Sequence, residues 1–426
     1  MMNSITASTP LNTHKFVFSL ALLLMSCSSP VQQDIQDRDS KAKKVLLISF
    51  DGFRADYLSA ERTPYLHALA QKGAKSEGLI PVFPSKTFPN HYAIAVGLHP
   101  ENNGLIGNSI YDSTLAQMYR IGDREQVERA DWYEGEPIWN TAEKQGVRAG
   151  TMFWVGSEAP VQGMRPTHWK RYDGSVPDSA RIDTVIQWLS MGTDLEGDLA
   201  TLYFSFLDSQ GHRYGTDAPE TDAALLRVDG LMKYLMEELE SAGLANQTNV
   251  ILVSDHGMQN ISRDRVITLD SYMDLEKVLM IGGSPVATMN IEPVYRAEVY
   301  HTLKNAQEEG APFQVFLKEE LPKRFHNSKH PRTPDLTIIA DLGYSLTTTQ
   351  QLSSNPNYPS GGNHGYDPQH TEMHAVFVGI GPDFAPNSRL EAFESIHVYS
   401  LLAYLLGLNP APNDGDFTTF EGILLQ

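Results

Sequence analysis

Val45-Leu46-Leu47-Ile48-Ser49-Phe50 runs without a charge up to Asp51-Gly52, and Val250-Ile251-Leu252-Val253-Ser254 does the same up to Asp255-His256-Gly257. Both runs are short, rich in branched side chains and apolar at successive positions, so neither separates a dry face from a wet one. That is the pattern of a strand covered on both sides. Leu202-Tyr203-Phe204-Ser205-Phe206-Leu207 before Asp208, Leu336-Thr337-Ile338-Ile339-Ala340 before Asp341, and Ala375-Val376-Phe377-Val378 read the same way. Helical patterns lie between them. Leu225, Val228, Met232, Leu235 and Leu239 share one helical face, with Gly243 as a stop signal. Thr63 as N-cap, Pro64 at the first helical position and Gly73 after the last turn delimit another helix. Doubly covered strands alternating with helices predict the α/β class, with a mostly parallel central sheet flanked by helices on both faces. The stretch from about Ser271 to Pro334 has weaker strand signals and charged clusters, and is expected to be a small α+β excursion within a single catalytic domain over residues 44–426.

With 426 residues, 41% of them hydrophobic, the chain can bury a full core. Its formal net charge of −19 repels polyanions, which argues against bulk nucleic-acid binding. A phosphate-bearing ligand must then be drawn by local positive charge, which a bound pair of metal ions would supply.

Cys27 is the only cysteine, so no intramolecular disulfide can form. Lys15 precedes the apolar run from Phe16 to Met25, which is too short to span a bilayer but suits a signal peptide. Leu24-Met25-Ser26-Cys27 resembles the bacterial lipoprotein processing site, at which the cysteine becomes the lipidated first residue. Residues 1–27 therefore read as a lipoprotein signal and residues 28–43 as a polar tether. The expected location is on a membrane through an N-terminal lipid anchor, facing the periplasm or at the cell surface. A cleaved signal peptide with an incidental cysteine is the alternative.

Asp51, Asp208 and Asp255 each follow a predicted strand, and the carboxyl ends of parallel strands form the active crevice of such sheets. Asp255-His256-Gly257 sets a carboxylate beside an imidazole, a pair suited to zinc. Asp208 and His212 flank Ser209-Gln210-Gly211, expected as a glycine turn that folds the imidazole back beside the carboxylate. Asn363-His364-Gly365 adds a third imidazole. A lone Asp-His pair is often only a satisfied turn, but three carboxylates and three histidines exceed what one tetrahedral zinc ion takes. Two ions at phosphoryl-transfer spacing are the economical solution. His91 stays ambiguous. Thr87, in Lys86-Thr87-Phe88-Pro89-Asn90-His91-Tyr92, is placed by Pro89 at or just before a helix N-terminus, where free N–H groups would face a phosphate. A metal-bound threonine hydroxyl can act as a nucleophile; the local alternative is that Thr87 only caps the helix.

These stretches, with Gly97-Leu98-His99-Pro100-Glu101-Asn102-Asn103-Gly104-Leu105-Ile106-Gly107-Asn108, Asp51-Gly52-Phe53-Arg54 and Tyr172-Asp173-Gly174-Ser175-Val176-Pro177, closely resemble the nucleotide pyrophosphatase/phosphodiesterase family of the alkaline phosphatase superfamily. The resemblance runs in family order from Lys44 to the C-terminus. It implies that Asp208, His212 and His364 hold one zinc ion, and that Asp51, Asp255, His256 and the Thr87 oxygen hold a second. Asn108 would donate its amide to a non-bridging phosphate oxygen, and Phe88, Tyr172 and Tyr203 would line the substrate pocket. Ser205-Phe206-Leu207 departs from the acidic residues and proline that many members carry before the aspartate of the first site. The implied reaction is hydrolysis of phosphodiester or pyrophosphate bonds in nucleotides through a phosphothreonine, releasing nucleoside 5′-monophosphates. Two alternatives stand beside it: a phosphocholine-type diesterase or monoesterase using the same site, and a lipid-anchored protein that captures phosphorylated ligands without turnover.

Overall fold

The computed structural model describes residues 44–191 and 198–425, so the signal, Cys27 and the tether lie outside the described residues. Eight strands form the central sheet: β1 (Lys44–Phe50), β2 (Ala74–Ser76), β3 (Arg148–Met152), β4 (His168–Lys170), β5 (Asp198–Phe204), β6 (Thr248–Val253), β7 (Phe377–Ile380) and β8 (Ser388–Leu390). Their order is β8-β2-β7-β6-β1-β5-β3-β4. β1 lies between β5 and β6, parallel to both, and β3 and β4 continue in the same sense. The expected mostly parallel sheet is present, with β7 the exception, antiparallel to β6 and β2.

The helices that bear on the site are α1 (Pro64–Ala70), α2 (Thr87–Val96), α3 (Ile138–Lys144), α4 (Asp178–Ser190), α5 (Phe206–Tyr214), α6 (Pro219–Ser241), α7 (Arg296–Glu308) and α8 (His397–Leu405). Alternate residues of β1 enter two different cores, which is why its sequence shows no alternation. Leu46, Ile48 and Phe50 pack under α1, α4 and α6, while Val45 and Leu47 pack under α2, α3 and α8. Each such side chain, fully buried, contributes about 1.5–3 kcal/mol. Leu225, Val228, Met232, Leu235 and Leu239 are the buried stripe of α6, as the spacing predicted. Thr63 does precede α1, but its hydroxyl donates to the Tyr57 carbonyl instead of capping the helix.

Leu336–Ala340 is a strand, though not of the central sheet. It is the third strand of a separate antiparallel sheet, in the order Val278–Met280, Val286–Ile291, Leu336–Ala340, Phe313–Leu317. Leu336 and Ile338 face the core beneath α7, while Ile339 packs with Phe83 and Phe325 on the other side. Both faces are covered, so the run has the same apolar signature as a central strand. The excursion is thus α+β, as expected, and reaches beyond residue 334 to take in this strand. Among the described residues no helix is long and apolar enough to cross a membrane.

Candidate active site

Two carboxylates leave the ends of neighbouring parallel strands. Asp51 follows β1 directly, and Asp255 stands two residues beyond β6. Gly52 makes the tight exit from β1 possible, with φ +73° and its backbone so close to Asp208 that an added Cβ would lie 3.0 Å from the Asp208 Cα. Asp208 and His212 are not joined by a glycine turn as expected. They lie one helical turn apart on α5, with Gly211 inside the helix, because Ser205-Phe206-Leu207 ends the strand and starts the helix. The i, i+4 spacing presents both side chains on one face. His364 follows a two-residue strand, Gly362–Asn363, paired with Gln259–Asn260.

Each of the three imidazoles is tied through Nδ1 to a carbonyl oxygen: His212 to Gly362 at 2.9 Å, His256 to Gly257 at 2.9 Å and His364 to Ser85 at 2.8 Å. Nδ1 must donate in each case, which leaves the Nε2 lone pairs free and aimed inward. They meet carboxylate and imidazole acceptors and, at His256, the Thr87 hydroxyl. His364 Nε2 is 3.1 Å from His212 Nε2 and 3.6 Å from Asp208 Oδ1. His256 Nε2 is 3.4 Å from Asp51 Oδ1 and 2.9 Å from Asp255 Oδ2, the latter off the direction of a hydrogen bond. Asp51 Oδ1, Asp208 Oδ1 and Asp255 Oδ2 are all buried without a hydrogen-bond partner. The His256 and His364 rings stack at 3.4 Å, so the two groups of donors adjoin. Six acceptor atoms facing one another, three of them buried carboxylate oxygens without a partner, repel unless cations lie between them. The donor set therefore fits divalent metal ions, and it groups spatially as Asp208 with His212 and His364, as Asp51 and Asp208 with His256, and as Asp51 and Asp255 with His91. Asp208 serves the first two groups.

Electrostatics report the same strain. Burial, followed by the Asp255 and Asp208 charges, pushes the Asp51 carboxyl well above the usual range. Burial also raises Asp208, against the pull of His212 and His256. For Asp255 burial acts upward too, but His256 and His91 outweigh it and hold the carboxyl low. Burial and the neighbouring His256, Lys86 and His212 hold His364 neutral far below its ordinary range.

Thr87 is the first residue of α2. Its hydroxyl caps nothing and lies 3.3 Å from His256 Nε2. The Asn108 Oδ1 accepts from the Phe88 N–H at 3.0 Å, an arrangement that leaves its amide N–H groups to donate beside the helix start. Tyr203 donates to Asp51 Oδ2 at 2.6 Å, and its ring lies 6.2 Å from that of Tyr172. Phe88 makes its ring contact elsewhere, edge-on to Tyr119. Two residues carry more than their sequence settings implied. His91, four residues along α2 from Thr87, donates through Nδ1 to the Thr87 carbonyl at 3.0 Å and accepts from Ser49 Oγ at 2.9 Å. Both nitrogens are used, so it braces Thr87 and Asp255 without a free lone pair for a metal. Lys86 runs past Gly365, whose added Cβ would meet its Cε at 2.4 Å, and donates to the Ser284 carbonyl. Burial, partly offset by Asp208, lowers its ammonium to about 8. The i, i+4 spacing of Thr87 and His91 was a visible signal for the first; nothing local marks the second.

Residues 45–367 match the family model described as type I phosphodiesterase/nucleotide pyrophosphatase. The chain belongs to this family. It is 39% identical to human ectonucleotide pyrophosphatase/phosphodiesterase family member 1 over 391 residues, covering 89% of this chain and 41% of that protein. It is 33% identical to human family member 5 over 415 residues, covering 97% of this chain and 83% of that protein. The chain thus spans less than half the length of the first of these relatives. Among solved structures of the phosphodiesterase family, murine member 5 superposes with a TM-score of 0.84 at 34% identity, covering 90% of this chain and all of that one. An inactive threonine-to-alanine variant of the murine protein, similar to the same extent, was solved in complex with AMP.

Proposed function

We propose that the protein is a zinc-dependent nucleotide pyrophosphatase/phosphodiesterase that releases nucleoside 5′-monophosphates through a phosphothreonine. The observation that carries this reading is the convergence of three buried carboxylate oxygens without a partner and three imidazole Nε2 atoms beside the Thr87 hydroxyl at a helix start. Asp208, His212 and His364 would hold one zinc ion and Asp51, Asp255, His256 and the Thr87 oxygen the other, which when bound would supply Lewis acidity at the phosphoryl oxygens and favour the threonine alkoxide. Thr87 attacks phosphorus in line at the positive end of the α2 dipole, where the Phe88 N–H is already taken by Asn108. Asn108 donates to a non-bridging oxygen as charge develops there. Tyr172 and Tyr203 form one side of the substrate pocket and Phe88 the other, with Tyr203 also holding Asp51 in place. Water then hydrolyses the phosphothreonine. AMP bound to the related murine variant supports a nucleotide as the ligand. The names of the ectonucleotide relatives support export, and anchoring through Cys27 follows from the processing motif.

Replacing Thr87 with Ala is expected to lower turnover of the 4-nitrophenyl ester of thymidine monophosphate by at least about 10⁴-fold. Zinc content, measured by elemental analysis, should persist. Undiminished turnover in that variant would overturn the nucleophile assignment.

A further inference from the structure

Asn108 stands on a part of the chain that the central sheet does not hold. It precedes a two-stranded hairpin, Ser109–Asp112 paired with Gln117–Arg120, which among the described residues joins no larger sheet. An isolated hairpin is marginal in water. Ile110 and Tyr119 pack it against Tyr92 and Val96 of α2, but apolar contact is non-directional and fixes closeness better than orientation. An amide that serves one phosphate oxygen has to be held within about 0.5 Å of its productive place.

The hold comes from a distant segment. Arg332, on the strap between Phe325 and Leu336, is buried, and its guanidinium reaches both sides of Asn108. Nε donates to Asp112 Oδ2 at 2.7 Å, and Nη1 donates to the Gly104 carbonyl at 3.2 Å and the Trp132 carbonyl at 2.9 Å. Nη2 donates to the Asp131 carbonyl at 2.6 Å, and the guanidinium lies 5.0 Å from the centre of the Trp132 ring. Gly104 and Asp112 stand equally far before and after Asn108, so one planar fork fastens both feet of the arch that carries the amide. Gly104 is shaped for this contact, with φ +78° and no Cβ, which would otherwise lie 2.8 Å from Arg332 Nη1. The same strap ties the arch to the approach of α2, because the Asn327 amide donates to the Phe83 carbonyl at 3.0 Å and to the Ile106 carbonyl at 3.2 Å.

We infer that Arg332 is a positioning residue, which fastens the arch from Gly104 to Asp112 so that Asn108 presents its amide to the phosphoryl group beside Thr87. The inference rests on the hydrolase reading above, in which Asn108 donates to a non-bridging oxygen. The bonds of Arg332 reach the arch and its neighbours, not the acceptor groups of the site, so its effect on turnover passes through Asn108.

A double-mutant cycle tests this, because an arginine that only supports the fold would act equally with or without the Asn108 amide. In the zinc-loaded full chain, with the 4-nitrophenyl ester of thymidine monophosphate, Asn108→Ala is expected to lower kcat by about 10²-fold, the usual loss for one transition-state donor. Arg332→Lys keeps the charge but cannot span both feet of the arch. It should lower kcat by about tenfold while KM stays within about twofold. In an Asn108→Ala background the same change should alter kcat by less than about twofold. Should thermal melting show Arg332→Lys unfolded at the assay temperature, Asp112→Asn takes its place in the cycle; it releases only the Nε end of the fork and should cost about threefold in kcat, again only when Asn108 is present. Equal factors in both backgrounds, or an unchanged kcat in the folded single variant, would overturn the inference and leave the hydrolase reading standing. Undiminished kcat in Asn108→Ala would instead sink the role given to Asn108, and the inference with it.

Discussion

The two groups of acceptors differ in how they are held and how far solvent reaches them. Asp51, Asp255 and His256 are all but fully buried, and they stand at the ends of β1 and β6, which hydrogen-bond to each other along their length. His212, by contrast, has a side chain that is 41% exposed. Its group is gathered from α5 and from the loop at Gly362–His364, and is kept in register by bonds between segments far apart in the chain, His212 to Gly362 and His364 to Ser85. The buried group is positioned by the sheet itself. The open group is positioned by whatever braces Ser85 and Gly362, and solvent reaches it at His212. A hydrolase needs both properties: a rigid seat for its nucleophile and an accessible seat for the group that leaves.

That contrast can be broken most directly by deletion. Asp255→Ala should cost about 10³-fold or more in kcat, the several kcal/mol of transition-state stabilisation that a metal site supplies. His212→Ala should cost less, about 10²-fold, since solvent can take the vacated position in an open group. Steady-state kinetics on the 4-nitrophenyl nucleotide ester decides the ranking, and a larger loss in the His212 variant would reverse it.

Protonation sharpens the contrast. The folded site holds the Asp51 and Asp208 carboxyls above their unfolded values, so without metal the folded state binds more protons than the unfolded chain over that interval. Their stabilising contribution is then fully present below the unfolded carboxylate value and is lost as pH rises through the raised folded ones. At neutral pH the metal-free site should be a burden that a bound divalent metal ion would relieve. Asp51→Asn should raise the melting temperature of chelated protein at pH 7 by about 1 °C, what ~1 kcal/mol gives in a chain of this size, and lower that of zinc-loaded protein. Calorimetry that finds the same sign in both states would contradict this account.

The smallest effect lies farthest from the chemistry. Ile339 packs on Phe83, two residues before the Ser85 carbonyl that holds His364. Ile339→Val should lower stability by only about 0.5–1.5 kcal/mol. Yet it should speed loss of zinc from the open group in a chelator assay, while the buried group keeps its ion. Equal acceleration of both release phases would show that the excursion sheet does not selectively support the open side.

Some of this was legible in the chain and some was not. The ends of β1 and β6 and the helix start at Thr87 are local patterns, and each lies within a residue or two of where the sequence puts it, whereas Asp208 and His212, expected across a glycine turn, come together on a helix. The run Leu336–Ala340 shows where such reading fails. Burial on both faces imprints the same apolar string whether the cover is a layer of helices or the Phe83 and Phe325 rings, so the sheet to which a strand belongs is not written in it. The same limit hid Lys86, which works on Ser284, and that part of the work of His91 that falls on Ser49 and Asp255, all remote in sequence.

From its residues alone the chain determined the α/β class, the six acceptor side chains and the threonine at a helix start, because hydrophobic period, turn chemistry and ligand type are properties of neighbouring residues. Only the tertiary structure decided that Asp208 stands between both groups, that the imidazoles point their lone pairs at carboxylates, and that Arg332 reaches the arch bearing Asn108. Those facts depend on strand order and on hydrogen bonds between segments as much as 279 residues apart, distances over which sequence pattern carries no geometry.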